Sequence, residues 1–180
     1  MRMSKNRNMV TKRIVIPCRF AYLHCWNPVE QYNGVQKYTI AAVIDKSDQP
    51  TVDVVREAID YVRDNSTRLW GGRIPINLRI PLHDGDEERP DSVAFRNCFY
   101  INAKSKEAPQ IVDWQVQPIT DQEEVYSGCY GKVSLTLYGY NTGGSKGIAA
   151  WLGNIQKLGD GEKFARRVNA RDEFQTEERE

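Results

Sequence analysis

The sequence predicts an all-β domain, a barrel with one inserted helix. Several short segments alternate apolar with polar residues, and a period of two is typical of strands that bury one face. One segment instead repeats its apolar residues at helical spacing. The regular alternation of strands and helices that builds a parallel sheet is not seen, so we expect a small antiparallel barrel. A chain of 180 residues with 40% apolar and 10% aromatic residues is large enough for one core.

The first two strands are predicted to form a hairpin. Residues 12–26 place apolar side chains at every second position, and Pro17 among them indicates an edge or a bulge. The dipeptide Asn33-Gly34 is a strong turn signal, and β-branched and aromatic residues follow it in the segment 37–45. The side chains expected inside the barrel from the first strand are those of Ile14, Ile16, Cys18, Phe20 and Tyr22.

One amphipathic helix should follow the hairpin. Asp48 and Pro50 favour a helix start, and apolar residues then recur at helical spacing until about Asn65. The apolar face of this helix consists of Val52, Val55, Ala58, Ile59 and Val62. Beyond it, glycines, prolines and acidic residues predict a long irregular loop over 70–91, in which Trp70 should seal the helix onto the core.

Two further strands alternate clearly, over residues 93–104 and 132–140. Their inward side chains should be Val93, Phe95, Phe99 and Ile101 in the first strand, and Val133, Leu135 and Leu137 in the second. Their outward side chains should be Arg96, Tyr100, Asn102 and Lys104 in the first, and Lys132, Ser134, Thr136, Tyr138 and Tyr140 in the second. The glycine-rich residues 141–147 predict a flexible turn, and residues 148–158 are either a strand or a short helix.

This set of elements fits an OB-fold barrel, and an SH3-like barrel or a split sandwich would also accommodate it. The domain is expected over residues 11–162, after a basic flexible N-terminus at 1–10. A charged, acidic tail at 163–180 has a composition that predicts disorder. The net charge of +1 hides this distribution, because the basic start and the acidic end nearly cancel.

The composition also argues against several classes of protein. The apolar runs fall far short of a membrane span, and the basic N-terminus lacks the apolar stretch of a signal peptide. We therefore expect a soluble, cytoplasmic protein with no membrane partner. The four cysteines are far apart and show no CxxC spacing, so we expect buried free thiols, no metal site and no cofactor.

Several segments together resemble a known phage family. They are PLHDGDEE at 81–88, FYINAK at 99–104, VYSG at 125–128, KGI at 146–148, LGNIQK at 152–157 and DGE at 160–162. In this order and spacing they resemble a phage protein family that was first catalogued without a function and whose members are now regarded as OB-fold single-stranded-DNA-binding proteins. The resemblance implies an OB-fold, single-stranded DNA as the partner, and a role in replication or recombination inside the infected bacterium. It implies no catalytic residues.

The outward residues of the predicted strands supply candidates for DNA contacts. A binder without sequence preference needs cations that follow the phosphates and flat rings on which bases stack. Lysine and tyrosine are also ordinary on a solvated strand face, so each residue alone carries little weight. The candidate nucleic-acid-binding residues on strands are Arg13, Arg19, Lys37, Arg96, Tyr100, Lys104, Lys132, Tyr138 and Tyr140. Lys146 in the glycine-rich turn is a further candidate, as the tip of a hairpin that contacts DNA, with a plain turn as the equal alternative.

The acidic residues 84–91 suggest an alternative function. Clustered carboxylates hold Mg²⁺ in nucleases, so a metal-dependent phage nuclease that uses this loop is the alternative, with a plain solvated loop as the simpler interpretation. A scaffold protein that binds only other proteins is a third hypothesis. His24 and His83 have no second closely spaced pair of ligands beside them, so packed histidines are expected.

The last residues of the chain are candidates for a partner-binding tail. An acidic segment tethered near a cationic groove can compete with DNA for that groove, and DNA that displaces the segment frees it for partners. The family resemblance implies that these partners are replication proteins. A tail that only improves solubility is the simpler interpretation. The residues concerned are Asp172, Glu173, Phe174, Glu177, Glu178 and Glu180. Self-association on DNA is a further expectation.

Overall fold

The computed structural model describes residues 9–164, which form seven strands and two α-helices. The predictions for residues 1–8 and 165–180 lie outside this range. The strands are β1 (Thr11–Glu30), β2 (Gln36–Asp45), β3 (Leu82–Asp84), β4 (Cys98–Ser105), β5 (Ile111–Val112), β6 (Tyr130–Thr142) and β7 (Ser145–Gly159). The helices are α1 (Gln49–Asn65) and α2 (Gly85–Glu88), and short 3-10 turns cover Thr67–Trp70, Val93–Phe95 and Gln122–Glu124.

Five of the strands close into a barrel in the order β1-β2-β4-β7-β6. Neighbours pair antiparallel, except that β4 and β7 pair in parallel through Ala103 with Ala150 and Lys104 with Trp151. The short strand β3 adds to β4, and β5 adds to β7. A small closed barrel of five strands with one parallel contact is the OB-fold, so the fold class predicted from the alternation is confirmed and the two other architectures are excluded.

The core fills the barrel with the side chains that the alternation placed inside. Ile14, Ile16, Phe20, Leu135 and Leu137 are all buried, and they share one apolar cluster with residues of β2, β4 and β7. Helix α1 covers one end of this cluster with the predicted apolar face of Val52, Val55, Ala58, Ile59 and Val62.

The predicted helix start and the predicted packing of Trp70 are both confirmed. The carboxylate of Asp48 accepts a hydrogen bond from the backbone N–H of Thr51, which satisfies a donor at the first turn of α1. The indole of Trp70 is 3% exposed and donates to the carbonyl oxygen of Tyr140 at 3.0 Å. Within residues 9–164, no helix is long and apolar enough to cross a membrane.

Strand β1 contains an irregularity that reverses one predicted side chain. The backbone at Tyr22 has a φ of 44°, and the register with β2 shifts between Ala21 and His24. A bulge adds a residue to one strand and changes which face the next side chains occupy. Tyr22 is therefore 56% exposed, and its prediction as a core residue is wrong. Pro17 lies where β1 has only β6 as a neighbour, before the pairing with β2 begins at Arg19.

The third predicted strand begins later than expected. Residues 93–95 form a 3-10 turn, Asn97 has a φ of 56°, and β4 starts only at Cys98. Consequently Val93 is 74% exposed, which corrects its inward assignment. Phe95 is buried outside the barrel, in a second apolar cluster on the outer face that also contains Ala21, Ala41, Val43 and Tyr100.

Three more expectations change in detail. The segment at 148–158 is a strand, because β7 has to pair with both β6 and β4 to close the barrel. The loop at 70–91 is not wholly irregular, since it contains β3 and α2. Ser134 faces outward but is buried, and its hydroxyl accepts from the backbone N–H of Asn154. All four cysteines are free thiols, and three of them are buried.

The substitutions Phe20→Ala and Tyr22→Ala test the reversal in β1. Phe20→Ala should lower the free energy of unfolding by about 3–5 kcal/mol, because it empties a fully buried site. Tyr22→Ala should cost only about 1 kcal/mol, since it removes an exposed ring that stacks on Phe95. Urea unfolding of both variants measures the difference through the midpoints at a common slope. Losses of equal size would contradict the outward orientation of Tyr22.

Candidate nucleic-acid interface

A continuous groove crosses the outer face of the barrel. It consists of three adjoining cavities of about 990, 310 and 710 Å³. The first two share Tyr22, His24 and Arg89, and the last two share Asn102 and Lys104. The groove therefore runs from β1 over β2 and β4 to β7. The second and third barrel strands, here β2 and β4, form the face on which OB-folds bind oligonucleotides and oligosaccharides.

At the β7 end of the groove two aromatic rings stack on each other. The ring centres of Tyr138 and Trp151 are 3.9 Å apart with an angle of 21° between the planes, and Trp151 is 39% exposed. Burial raises the pKa of the Tyr138 hydroxyl. Lys37 and Lys104 line the same end, so rings and ammonium groups occur side by side. This arrangement offers a flat surface for a base and cations for its phosphates.

Strand register explains why these groups meet. Lys104 pairs with Trp151 across the parallel contact, and Trp151 pairs with Thr136 across the β6–β7 ladder. In the other direction Lys104 pairs with Thr39, which pairs with His24. Paired residues lie about 5 Å apart on one face of a sheet, so these outward side chains form one row around the barrel. Thr136 in β6 also pairs with Arg13 in β1, so the row continues from β6 to β1.

The middle of the groove has a second ring pair. Tyr22 stacks on Phe95 with ring centres 5.7 Å apart and planes at 14°. Arg89 lines the groove beside both rings. The ammonium of Lys104 donates to Oε1 of Gln31 at 2.6 Å, which holds it over this part of the face. The exposed ring of Tyr22 extends the aromatic surface about halfway along the groove.

The wide end of the groove is organised by Arg19. Its Nε donates to the carbonyl oxygen of Gly128 at 3.0 Å, and its Nη2 donates to that of Glu162 at 2.7 Å. Its guanidinium also lies over the ring of Phe164, 4.1 Å from the centre. Arg19 thus fastens the segment after β7 across the barrel, and the ring of Phe164 packs on the outer apolar cluster.

The structure brings together only some of the residues nominated from the sequence. Lys37, Lys104 and Tyr138 meet at one end of the groove, and Arg19 lies at the other. Tyr100 is 3% exposed, which corrects its expected exposure: its ring is covered by Phe95 and His83 on the outer face. The nominated residues that do not line the groove are Arg13, Arg96, Lys132, Tyr140 and Lys146, and the tail residues Asp172, Glu173, Phe174, Glu177, Glu178 and Glu180 lie outside the described range.

The sequence reasoning missed several groove residues, among them Tyr22, Trp151 and Arg89. Tyr22 was assigned to the core, and only the bulge turns it outward. Trp151 lies in a segment whose periodicity did not distinguish strand from helix, although an apolar ring between alanine and leucine was a usable signal. Arg89 lies among the carboxylates of the acidic loop, which suggest a metal site or a solvated loop and not a contact with phosphates.

Three carboxylates of the acidic loop are engaged by side chains of the protein itself. The ammonium of Lys46 lies 2.7 Å from Asp84 and 2.8 Å from Asp86, and these hydrogen bonds lower the pKa of both carboxyl groups. Glu88 contacts the imidazole of His83 at 2.9 Å and accepts from the hydroxyl of Tyr100. Among residues 9–164, no three His, Cys, Asp or Glu side chains are grouped so that they could hold a metal ion.

The fold and the groove together define the class: an OB-fold barrel that carries stacked rings and cations over its second and third strands. Residues 9–180 match the family described as "Enterobacter phage Enc34, ssDNA-binding protein". The chain belongs to this family. The resemblance inferred from the sequence segments is thereby confirmed.

Three individual proteins are similar to this chain. Protein p50 of Acyrthosiphon pisum secondary endosymbiont phage 1 is 29% identical over 157 residues, which cover 81% of this chain and 82% of that protein. The single-stranded DNA-binding protein from bacteriophage Enc34, solved in complex with ssDNA, matches with a TM-score of 0.74 and 21% identity over 90% of this chain and 96% of that one. The single-stranded DNA-binding protein gp2.5 of bacteriophage T7 matches with a TM-score of 0.57 and 17% identity over 88% and 97%. Both structures share the fold.

The substitution Lys46→Met tests the ion pairs of the acidic loop. It should raise the pKa of Asp84 and Asp86 toward the ordinary value of about 3.9, because it removes their main hydrogen-bond donor. In the intact protein both pKa values are lower in the folded than in the unfolded state. The ion pairs therefore stabilise the fold above that ordinary pKa, and this contribution is lost as the pH falls through the folded-state values.

An NMR titration of the carboxyl carbons measures these pKa values directly. Arg63→Met is the matched control, since the partners of Arg63 are Asp60 and Asp64 on helix α1. In that control the pKa values of Asp84 and Asp86 should stay as low as in the intact protein. Unchanged values in the Lys46 variant would contradict the assignment.

Proposed function

We propose that this protein binds single-stranded DNA along the groove without sequence preference, in phage DNA replication or recombination. The observation that carries the proposal is the Tyr138–Trp151 stack beside Lys37 and Lys104. Every base offers a flat face whatever its identity, so stacking on rings together with cations for the phosphates binds a single strand of any sequence. The solved relative from bacteriophage Enc34 in complex with ssDNA supports this choice of partner.

The distribution of charge in the groove fits a phosphate backbone. The cations that line it outnumber the carboxylates, although the whole chain carries a net charge of only +1. The cations are Arg19, Lys37, Arg89, Lys104, Lys106 and Lys163, and the carboxylates are Glu88, Asp91, Glu107 and Glu162. Of the carboxylates, Glu88 is already engaged by the imidazole of His83 and the hydroxyl of Tyr100.

A binding role without catalysis agrees best with the acidic loop. A nuclease would need free carboxylate oxygens for Mg²⁺, whereas Asp84 and Asp86 are engaged by Lys46. A scaffold that binds only proteins would have no use for stacked rings beside lysines in a groove. We infer that the protein acts on DNA by holding it, in the cytoplasm of the infected bacterium.

We further propose that the acidic C-terminal tail meets replication proteins. Phe164 is fastened at the wide end of the groove, so the sixteen residues that follow start beside the DNA path. Five carboxylates among the last nine residues would compete there with phosphates at high effective concentration. DNA that enters the groove would release the tail for partners.

Trp151→Ala and Tyr138→Ala should each weaken the binding of oligothymidylate about tenfold or more. A base stacked on an aromatic ring contributes roughly 1–3 kcal/mol by alanine substitution. Fluorescence anisotropy with an oligonucleotide that is just long enough for one protein molecule measures the dissociation constant. Trp114→Ala is the matched control, because Trp114 is 70% exposed outside the groove, and it should leave the affinity unchanged.

Two results of this assay would contradict the proposal. The first is an unchanged affinity in both groove variants while circular dichroism shows an intact fold. The second is cleavage of the oligonucleotide that requires Mg²⁺, which would favour the nuclease alternative.

Truncation after Ala170 should tighten the binding of single-stranded DNA at low salt. It removes a competing anionic segment, and the difference should shrink as salt screens the tail. Dissociation constants of the truncated and full chains, measured over a range of salt concentrations, check this outcome. Equal affinities at every ionic strength would show that the tail does not compete for the groove.

A further inference from the structure

Two exposed apolar surfaces lie away from the groove. The first is the loop at 111–119, here called the Trp114 tip, in which Trp114 is 70% and Val116 is 65% exposed. The second is the connection at 68–80, here called the Ile76 patch. Its exposed apolar residues are Leu69, Ile74, Ile76 and Ile80, and Ile76 is exposed completely. Neither surface contributes to the groove, so the proposed DNA binding does not account for them.

The Trp114 tip is rigidly built. One carboxylate oxygen of Asp113 accepts from the backbone N–H groups of Gln115 and Gln117, and the amide of Gln156 in β7 donates to the carbonyl oxygen of Asp113. Val116 has a φ of 63°, a conformation that a β-branched residue adopts only at an energetic cost. Strain of this kind persists where the surrounding structure imposes it, and it is common at binding surfaces. The tip therefore presents its two apolar side chains in one fixed arrangement.

The charges around the tip point to a cationic protein surface as its partner. The segment 110–124 contains four carboxylates, Asp113, Asp121, Glu123 and Glu124, and no lysine or arginine. The last three share a depression with Lys157, whose ammonium is paired with Asp160, so carboxylates remain in excess there. Phosphates would be repelled there, so a nucleic acid is a poor partner for Trp114. An arginine beside an apolar surface is a good one, because its guanidinium is attracted both by carboxylates and by the face of an indole ring.

The Ile76 patch has the complementary chemistry. Arg68, Arg73 and Arg79 are exposed among the isoleucines, and the chain from 66 to 82 contains no carboxylate. Its backbone is held on the hairpin of β6 and β7 at Arg79. The backbone N–H of Arg79 donates to the carbonyl oxygen of Lys146, and its carbonyl oxygen accepts from the backbone N–H of Ile148. Isoleucine offers no flat ring to a base, so a protein surface fits this patch better than DNA does.

The two surfaces lie at opposite ends of the same strand. The tip is attached at Gln156 and the patch at Lys146, ten residues apart along β7. At about 3.3 Å per residue this separates them by roughly 33 Å. They therefore do not meet within one molecule, whereas the tip of one copy can meet the patch of another. Such a head-to-tail contact leaves one free surface at each end and extends into an open row of copies.

We propose that the protein self-associates head to tail, with the Trp114 tip of one copy docked on the Ile76 patch of the next. Trp114 packs between the isoleucines, and the arginines of the patch pair with the carboxylates beside the tip. That the row forms along single-stranded DNA rests on the proposed function, but the contact itself does not require DNA. Its consequence on a long strand is cooperative binding.

Sedimentation velocity over a range of protein concentrations tests the contact without DNA. The full chain should form dimers and longer species, and Trp114→Ala or Ile76→Ser should each weaken this association about tenfold or more, as expected for central interface residues. Both side chains are largely exposed, so neither substitution should disturb the fold. Val54→Ser is the matched control, since it alters a 43% exposed apolar residue on helix α1 and should leave the association unchanged.

A mixture of the two variants distinguishes a head-to-tail contact from a symmetric one. The Ile76→Ser copy keeps an intact tip and the Trp114→Ala copy keeps an intact patch, so the mixture should form heterodimers but no longer species. A full chain that stays monomeric at all concentrations, or a mixture that stays monomeric, would overturn the proposal.

DNA binding provides the second readout and separates this proposal from the proposed function. Both variants should bind an oligothymidylate of one site length with unchanged affinity and should bind long poly(dT) without the cooperativity of the full chain. Weaker binding of the short oligonucleotide by Ile76→Ser would instead identify the patch as a DNA contact and overturn the proposal. Failure of the full chain itself to bind the short oligonucleotide would contradict the proposed function, while sedimentation would still report on self-association.

Discussion

The parallel contact between β4 and β7 is the constraint on which the rest of the structure depends. Only two residue pairs make it, Ala103 with Ala150 and Lys104 with Trp151. The alanine pair faces the interior, where its small side chains let the two strands approach under the core. The other pair faces outward and brings a lysine next to a tryptophan from a distant part of the chain. The pairing that closes the barrel therefore also brings together the residues at the β7 end of the groove.

Departures from regular strand geometry shape the remainder of the groove. A straight β1 would direct Tyr22 into the core, but the irregularity after Phe20 turns its ring outward onto Phe95. The 3-10 turn before β4 places Phe95 on the outer face, where it covers Tyr100. An OB-fold has a solvated exterior by default, so the apolar cluster there is an addition that gives the groove a firm floor. A firm floor lowers the entropy lost when a base stacks on it.

Electrostatics divides the surface into regions of different local charge. In the groove, cations lie beside rings, whereas the carboxylates of Asp84 and Asp86 are paired with Lys46. At the ends of β7 the signs separate, with four carboxylates around Trp114 and three arginines around Ile76. A net charge near zero therefore describes no part of this surface, because the local potential of each region depends on the charges within it.

Periodicity determined the parts of the fold in which burial follows the chain directly. The core residues of β1 as far as Phe20, those of β6 and the inner face of α1 were predicted correctly, because a side chain in a regular strand or helix reaches the interior at a fixed interval. The same rule nominated Lys104 and Tyr138, and the structure places them together in one groove. The family was also readable from the order and spacing of short segments.

What only the tertiary structure decided lies where that interval is broken or where distant segments meet. Tyr22 and Phe95 changed faces because a bulge and a 3-10 turn each alter the count of residues, and neither has a strong sequence signal. Tyr100 kept its predicted face but lost its exposure to a neighbouring ring. Trp151 gained its role from pairing with Lys104, 47 positions earlier in the chain. A pattern within one segment records which side a residue faces, whereas its neighbours on that side depend on the register between strands, which closure of the barrel imposes.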